Sequence, residues 1–123
     1  MEDDPDVASF YCHVLKDRGH AVTHASTAER CLKVYSESLY RSQTEANIPK
    51  NVQPYDAAIL DYKMPDRNGL EVAKEILAIN SHQRIIVVTA FAEERIFNCI
   101  KELKIPVEFL QKPVSKKKLL DTI

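Results

Sequence analysis

Two short apolar runs constrain this chain more than anything else in it. Residues 57–61 read AAILD and residues 85–89 read IIVVT. Each run is almost continuously apolar, and each ends on a polar residue, Asp61 or Thr89. Runs this short and this rich in branched side chains suit strands covered on both faces, as strands are in a parallel sheet. Between them, residues 68–80 carry Leu70, Ala73, Ile76 and Leu77 at helical spacing, and Asn68 with Glu71 forms a capping pair. A strand, a helix and a second strand in this order argue for a parallel α/β sheet with right-handed crossovers.

The flanking segments extend that alternation. Residues 4–18 predict a helix, with Asp4 as its cap, Pro5 at its first position and Gly19 as its stop. Its apolar stripe is Val7, Phe10, Tyr11, Val14 and Leu15. Residues 21–25 alternate apolar and polar, which predicts a short strand near a sheet edge. Ser26 and Glu29 predict a capping box for a second helix, which carries Ala28, Cys31, Leu32, Tyr35 and Leu39 on one face and runs to about residue 45. A polar stretch with Pro49 and Pro54 breaks it. Residues 93–103 predict a fourth helix, with Ile96, Cys99, Ile100 and Leu103 inward. Residues 107–111 predict a last strand, and Ser115 caps a short final helix.

A chain of 123 residues is read as one domain, residues 1–123, able to bury a core without staples. The net charge of −1 gives no reason to expect direct nucleic-acid or membrane binding. No apolar run is long enough to span a bilayer and no signal peptide opens the chain, so a cytoplasmic protein is expected. Cys12, Cys31 and Cys99 show no CxxC spacing, which predicts small reduced side chains in or near the core. His13, His20, His24 and His82 also lack ligand spacing.

In open α/β sheets, ligands bind beyond the carboxyl ends of the strands. Those ends carry Asp61, Thr89 and Lys112, the last followed by Pro113. Glu2 and Asp3 stand just before the first helix, where a preceding strand would end. Three carboxylates, a hydroxyl and an ammonium therefore converge on one edge. Any one of them alone is an ordinary surface group, and the combination carries the meaning. A carboxylate such as Asp61 can accept a phosphoryl group as nucleophile. The repulsion between the two anions is relieved by a hard divalent cation, and three acids fit Mg²⁺. The Lys112 ammonium would neutralise one phosphoryl oxygen and the Thr89 hydroxyl would donate to another.

In this order, EDDPDV (2–7), DYKMPDRNG (61–69), VVTAFAEE (87–94) and FLQKPVS (109–115) resemble the receiver domain of two-component response regulators. The resemblance covers nearly the whole chain. It implies a flavodoxin-like, doubly wound parallel sheet of strand order 2-1-3-4-5. It also implies Asp61 as phosphoacceptor, with Glu2, Asp3, Asp61 and the backbone carbonyl of Lys63 around Mg²⁺. Thr89 and Phe109 would be the switch residues, with Lys112 pairing the phosphoryl group and the Lys112–Pro113 peptide cis. Phe109 stands where the family often has tyrosine, and it has no hydroxyl. Lys63 and Phe91 occupy loop positions that would gate water and so set the phosphoryl lifetime. The partners implied are a sensor histidine kinase or a phosphotransfer protein. A downstream protein would bind the face of the fourth helix, last strand and last helix, near Lys116, Lys117 and Lys118. A homodimer is compatible with the same reading.

Two departures from the family pattern stand out. The family has an apolar strand just before the acidic pair, and only Met1 precedes Glu2 here. The expectation is a first strand missing from this sequence, with a natural chain starting about six residues earlier, one strand's length. The rival is another chain, or an altered pairing, in the slot. The last helix also ends early, at Ile123. In addition, the connection after the second helix exceeds the family norm by about a dozen residues, which is read as a longer helix, with a partner contact as the rival. Two other functions compete. One is a pseudo-receiver that binds proteins without phosphorylation. The other is an aspartate-nucleophile phosphohydrolase, which needs an acid where this chain has Lys63. The switch itself is not expected to be an enzyme beyond promoting its own phosphorylation and dephosphorylation.

Overall fold

A computed structural model describes residues 1–44, 54–90 and 106–123 of the chain. Among these residues four helices and three strands follow in order: α1 (Pro5–Asp17), α2 (Ala28–Thr44), β1 (Ala58–Asp61), α3 (Gly69–Ile79), β2 (Ile85–Thr89), β3 (Glu108–Gln111) and α4 (Lys116–Thr122). The strands form one parallel sheet in the order β1-β2-β3. Ala58 pairs with Ile85 and Asp61 with Val88, while Thr89 pairs with Gln111. The predicted fourth helix, Phe91, Cys99 and most of the connection after α2 lie outside the described residues.

Both apolar runs form strands because each residue has a covered face to fill. Ile85 and Val87 join Leu60, Ala28, Tyr35, Val72, Ala73 and Ile76 in the core beneath α2 and α3. Ile86 and Val88 point the other way, toward Leu110, Val114 and Ile123. On that side Val14 and Leu15 of α1 pack with Leu119 of α4. The alternation of β2 between two cores makes this a doubly wound α/β sheet.

The helix starts match their sequence signals with one exception. Asp4 accepts from the Asp6 and Val7 amides, Asn68 from Glu71, and Ser115 from Lys118. Gly19 ends α1 at φ +86, a left-handed conformation that glycine adopts without strain. At α2 the predicted Ser26–Glu29 box does not form. Thr27 is the local cap instead, its Oγ1 accepting from the Arg30 amide at 3.1 Å. Asp66, from a distant loop, accepts from the Ala28 and Glu29 amides. Cys12 and Cys31 are half-buried free thiols, and burial raises the pKa of Cys31.

The predicted strand at residues 21–25 is a second correction. The segment carries no strand assignment. A strand needs a ladder, and this segment is joined to its neighbour through the Glu2 amide, which donates to the Ala25 carbonyl at 3.1 Å. A cleft of about 800 Å³ separates residues 20–25 from residues 54–61 and is lined by Tyr11, Leu15, Val22, Ala57 and Ile59 among others. Met1 closes its upper end. The Met1 amino group donates to the Ile59 carbonyl at 2.6 Å, and the Asp61 amide donates to the Met1 carbonyl at 3.0 Å. These two bonds bracket Leu60 as a parallel ladder would. The buried Met1 ammonium has its pKa lowered, because desolvation disfavours the charge.

Candidate functional site

Each site group sits where a strand stops. β1 ends at Asp61, held by the Met1 carbonyl on one flank and by β2 on the other. β2 ends at Thr89, whose carbonyl accepts from the Lys112 amide at 2.7 Å, extending the ladder just beyond β3. Glu2 and Asp3 lie between the Met1 bridge and the cap of α1. Glu2, Asp61 and Thr89 are 3 %, 5 % and 6 % exposed, so their polar atoms work in a sheltered medium.

Glu2, Asp3 and Asp61 each offer a carboxylate oxygen, and these lie within 4.8 Å of one another. Lys112 brings the compensating charge, with Nζ 3.2 Å from Asp61 Oδ2 and 3.7 Å from Glu2 Oε2. Glu2 is fixed on three sides. Its amide donates to Ala25, its carbonyl accepts from His24 Nε2 at 2.8 Å, and its Oε1 accepts from the Asp4 amide at 3.1 Å. Its Oε2 is buried and makes no hydrogen bond, since Lys112 lies beyond hydrogen-bond reach. Burial raises the Glu2 pKa, and the neighbouring Asp61 charge adds to the rise. The Tyr11 phenol is pushed up to about 12 by burial, with the Glu2 and Asp61 charges contributing.

This arrangement passes a chemical test for a hard cation. Three carboxylates cluster around the Lys112 ammonium, and a buried carboxylate oxygen without a hydrogen bond points to a ligand it would otherwise need. Glu2, Asp3 and Asp61 would hold the ion. The Lys63 side chain is exposed in the loop after β1, consistent with a role confined to its backbone. Of the remaining predicted site residues, Phe109 is half-buried and packs against the core beneath α2 and α3. The Lys112–Pro113 peptide is cis, as expected. Lys116, Lys117 and Lys118 are exposed on α4, and Lys118 Nζ donates to the Gln111 carbonyl at 2.9 Å.

Sequence reasoning did not single out His24, Asp66 or Gly69 for the site. A Cβ on Gly69 would lie 2.5 Å from the Asp61 carbonyl oxygen, so α3 starts in contact with the strand end. The glycine stood in a quoted motif, which was its signal. His24 and Asp66 act through backbone groups distant in sequence and leave no periodic trace.

The profile of the response regulator receiver domain matches residues 1–123. Protein CcdB of Bacillus subtilis is 30% identical over 78 residues, 63% of this chain and 63% of its own length. The response regulator receiver protein CpdR of Brucella abortus is 28% identical over 91 residues, 74% of this chain and 63% of its own length. The chain thus spans under two thirds of each of these relatives. The response regulator TrrA of Thermotoga maritima, solved in complex with Mg²⁺–BeF, superposes with a TM-score of 0.73 at 25% identity, covering 98% of this chain and 90% of that one.

Proposed function

Because this chain belongs to the response regulator receiver domain family, we propose that Asp61 is the phosphoacceptor of a two-component phosphorelay. The observation that carries this is the meeting of three carboxylates within 4.8 Å with Lys112 3.2 Å from Asp61. The donor is a phosphohistidine on a sensor histidine kinase or a phosphotransfer protein. An Asp61 carboxylate oxygen attacks phosphorus. The O–P bond forms as the P–N bond breaks, and the histidine nitrogen leaves with the electron pair and takes up a proton. When bound by Glu2, Asp3, Asp61 and the Lys63 carbonyl, Mg²⁺ supplies Lewis-acid relief of the anion–anion repulsion. Lys112 pairs with a phosphoryl oxygen, while Thr89 donates to another.

The new charge draws on Thr89 and Lys112, which end β2 and follow β3. The output is a shift of population between two packings, read on the face of β3 and α4 by a downstream protein. The chain works as a switch, at most promoting its own phosphorylation and dephosphorylation. Among the described residues, no helix is long and apolar enough to cross a membrane.

The same reading accounts for the cleft. Strand order 2-1-3-4-5 requires a strand between residues 21–25 and β1. The bonds of Met1 to Ile59 and Asp61 and of Glu2 to Ala25 support this reading, because the carboxyl end of such a strand would make bonds of the same kind.

Intact-mass measurement after incubation with Mg²⁺ and a small acyl-phosphate donor tests the proposal. One phosphoryl adduct is expected on the native chain, and none on Asp61→Asn or without Mg²⁺. A folded chain that takes up no phosphoryl group would be a pseudo-receiver.

A further inference from the structure

The loop from Asp61 to Gly69 carries the Lys63 carbonyl, so its fixings bear on the site. At its start the Tyr62 amide donates to the Val88 carbonyl at 2.8 Å, and at its end the Gly69 amide donates to the Tyr62 carbonyl at 2.8 Å. Met64 is buried. Between these points the loop makes a further long-range attachment. Asp66 Oδ1 accepts from the Ala28 amide at 3.2 Å and Oδ2 from the Glu29 amide at 3.1 Å.

The start of a helix leaves amides without intrahelical partners. In α2 Asp66 takes those of Ala28 and Glu29, and Thr27 Oγ1 takes that of Arg30. The carboxylate also faces the positive end of the helix dipole. Desolvation works to raise the Asp66 pKa, but the Glu29 and Ala28 amide bonds outweigh it and hold the group low. Asp66 therefore stays ionised, with an oxygen on each amide. Two bonds to two points of a rigid helix fix direction as well as distance, where one bond leaves a pivot.

We propose that Asp66 is a positioning residue for the Asp61 site. By gripping α2, it sets where residues 62–66 lie, and through them where the Lys63 carbonyl stands relative to the Asp61 carboxylate. This rests on the reading of Asp61 as an Mg²⁺-supported phosphoacceptor. A plain capping role for Asp66 makes a different prediction, because α2 has a second cap, Thr27, whose hydroxyl accepts from the Arg30 amide of α2 itself.

The test compares native chain, Asp66→Ala, Asp66→Asn and Thr27→Ala. Without metal, ¹⁵N relaxation is read at Lys63 and Met64. An NMR titration with Mg²⁺ then gives the affinity. Both alanine variants lower the melting temperature. Asp66→Ala is expected to mobilise Lys63 and Met64 and to weaken Mg²⁺ binding by about tenfold, the usual size for an outer-shell support. Asp66→Asn, keeping one acceptor oxygen, falls between it and the native chain, and also serves if the alanine variant does not fold. Thr27→Ala leaves both readouts near native. Equal effects from Thr27→Ala and the Asp66 variants, or an unmoved loop in those variants, overturn the proposal. A native chain that binds no Mg²⁺ breaks the phosphoacceptor reading instead, and the metal-free comparison still decides the role of Asp66.

Discussion

On one side of β1, every residue from Ala58 to Asp61 has a partner in β2. On the other, Met1 and Glu2 link it to the extended segment 21–25, above a cleft of about 800 Å³. The β2 side is dry and close-packed, with every residue of β2 buried. The Met1 side holds a buried amino group against a carbonyl and a carboxylate oxygen without a hydrogen bond. Yet the Met1 side brings Glu2 and Asp3, while the β2 side brings Thr89 and the approach of Lys112. The site forms along the line where the two meet. Both flanks of the strand therefore supply chemistry, while the β2 flank supplies most of the packing.

If that division is real, substitutions on the two flanks will differ in kind. The largest effect is expected in β2. Ile86→Ala should cost about 3 kcal/mol, the usual range for a fully buried aliphatic side chain, whereas Val22→Ala beside the cleft should cost less than about 1 kcal/mol. Urea unfolding measures both, and equal losses would erase the contrast. Next comes filling the cleft. Joining a five-residue apolar β-branched extension to Met1 should stabilise the chain by about 2 kcal/mol, the burial of one to two such side chains. A glycine–serine extension of equal length should not. Stabilisation by both, or by neither, would show that the cleft is not a strand slot.

The smallest effect is a pH dependence peculiar to the Met1 side. The amino group has its pKa lowered in the folded chain, so between that value and the unfolded one the unfolded chain holds more protons. Stability then rises with pH through that window, up to about 8, the ordinary range for an α-amino group. Acetylating Met1 should remove that rise, as followed by thermal melts across pH. A pH profile unchanged by acetylation would mean that the amino group is not buried as described.

The β2 flank was legible in the sequence because buried strands announce themselves. IIVVT admits few other readings, and parallel strands put their ends on one edge, which brought Asp61, Thr89 and Lys112 together on paper. Asp4, Asn68 and Ser115 could be read because a cap acts within a few residues of itself. Residues 21–25 misled because alternation reports a half-buried face and cannot report whether a neighbouring strand is there to bond. The hold of Asp66 on α2 was invisible for a related reason. Asp66 stands in the motif DYKMPDRNG, but its partners, Ala28 and Glu29, lie 38 and 37 residues away, and nothing in the motif names them. Tyr35 looked apolar by position, but its hydroxyl donates to Gln83 at 2.8 Å and accepts from Asn80 at 2.9 Å. Pairings across such separations belong to the fold and have no period.

The contact at Gly69 gives the strand end a direction. With α3 seated so close that a methyl group would land 2.5 Å from the Asp61 carbonyl oxygen, the backbone there has no room to advance toward the helix. The start of α3 is in effect a doorstop. Under the phosphoacceptor proposal, a change of charge on the Asp61 side chain is then answered away from α3, toward Thr89 and Lys112. The start of α3 would thereby bias which way a signal leaves.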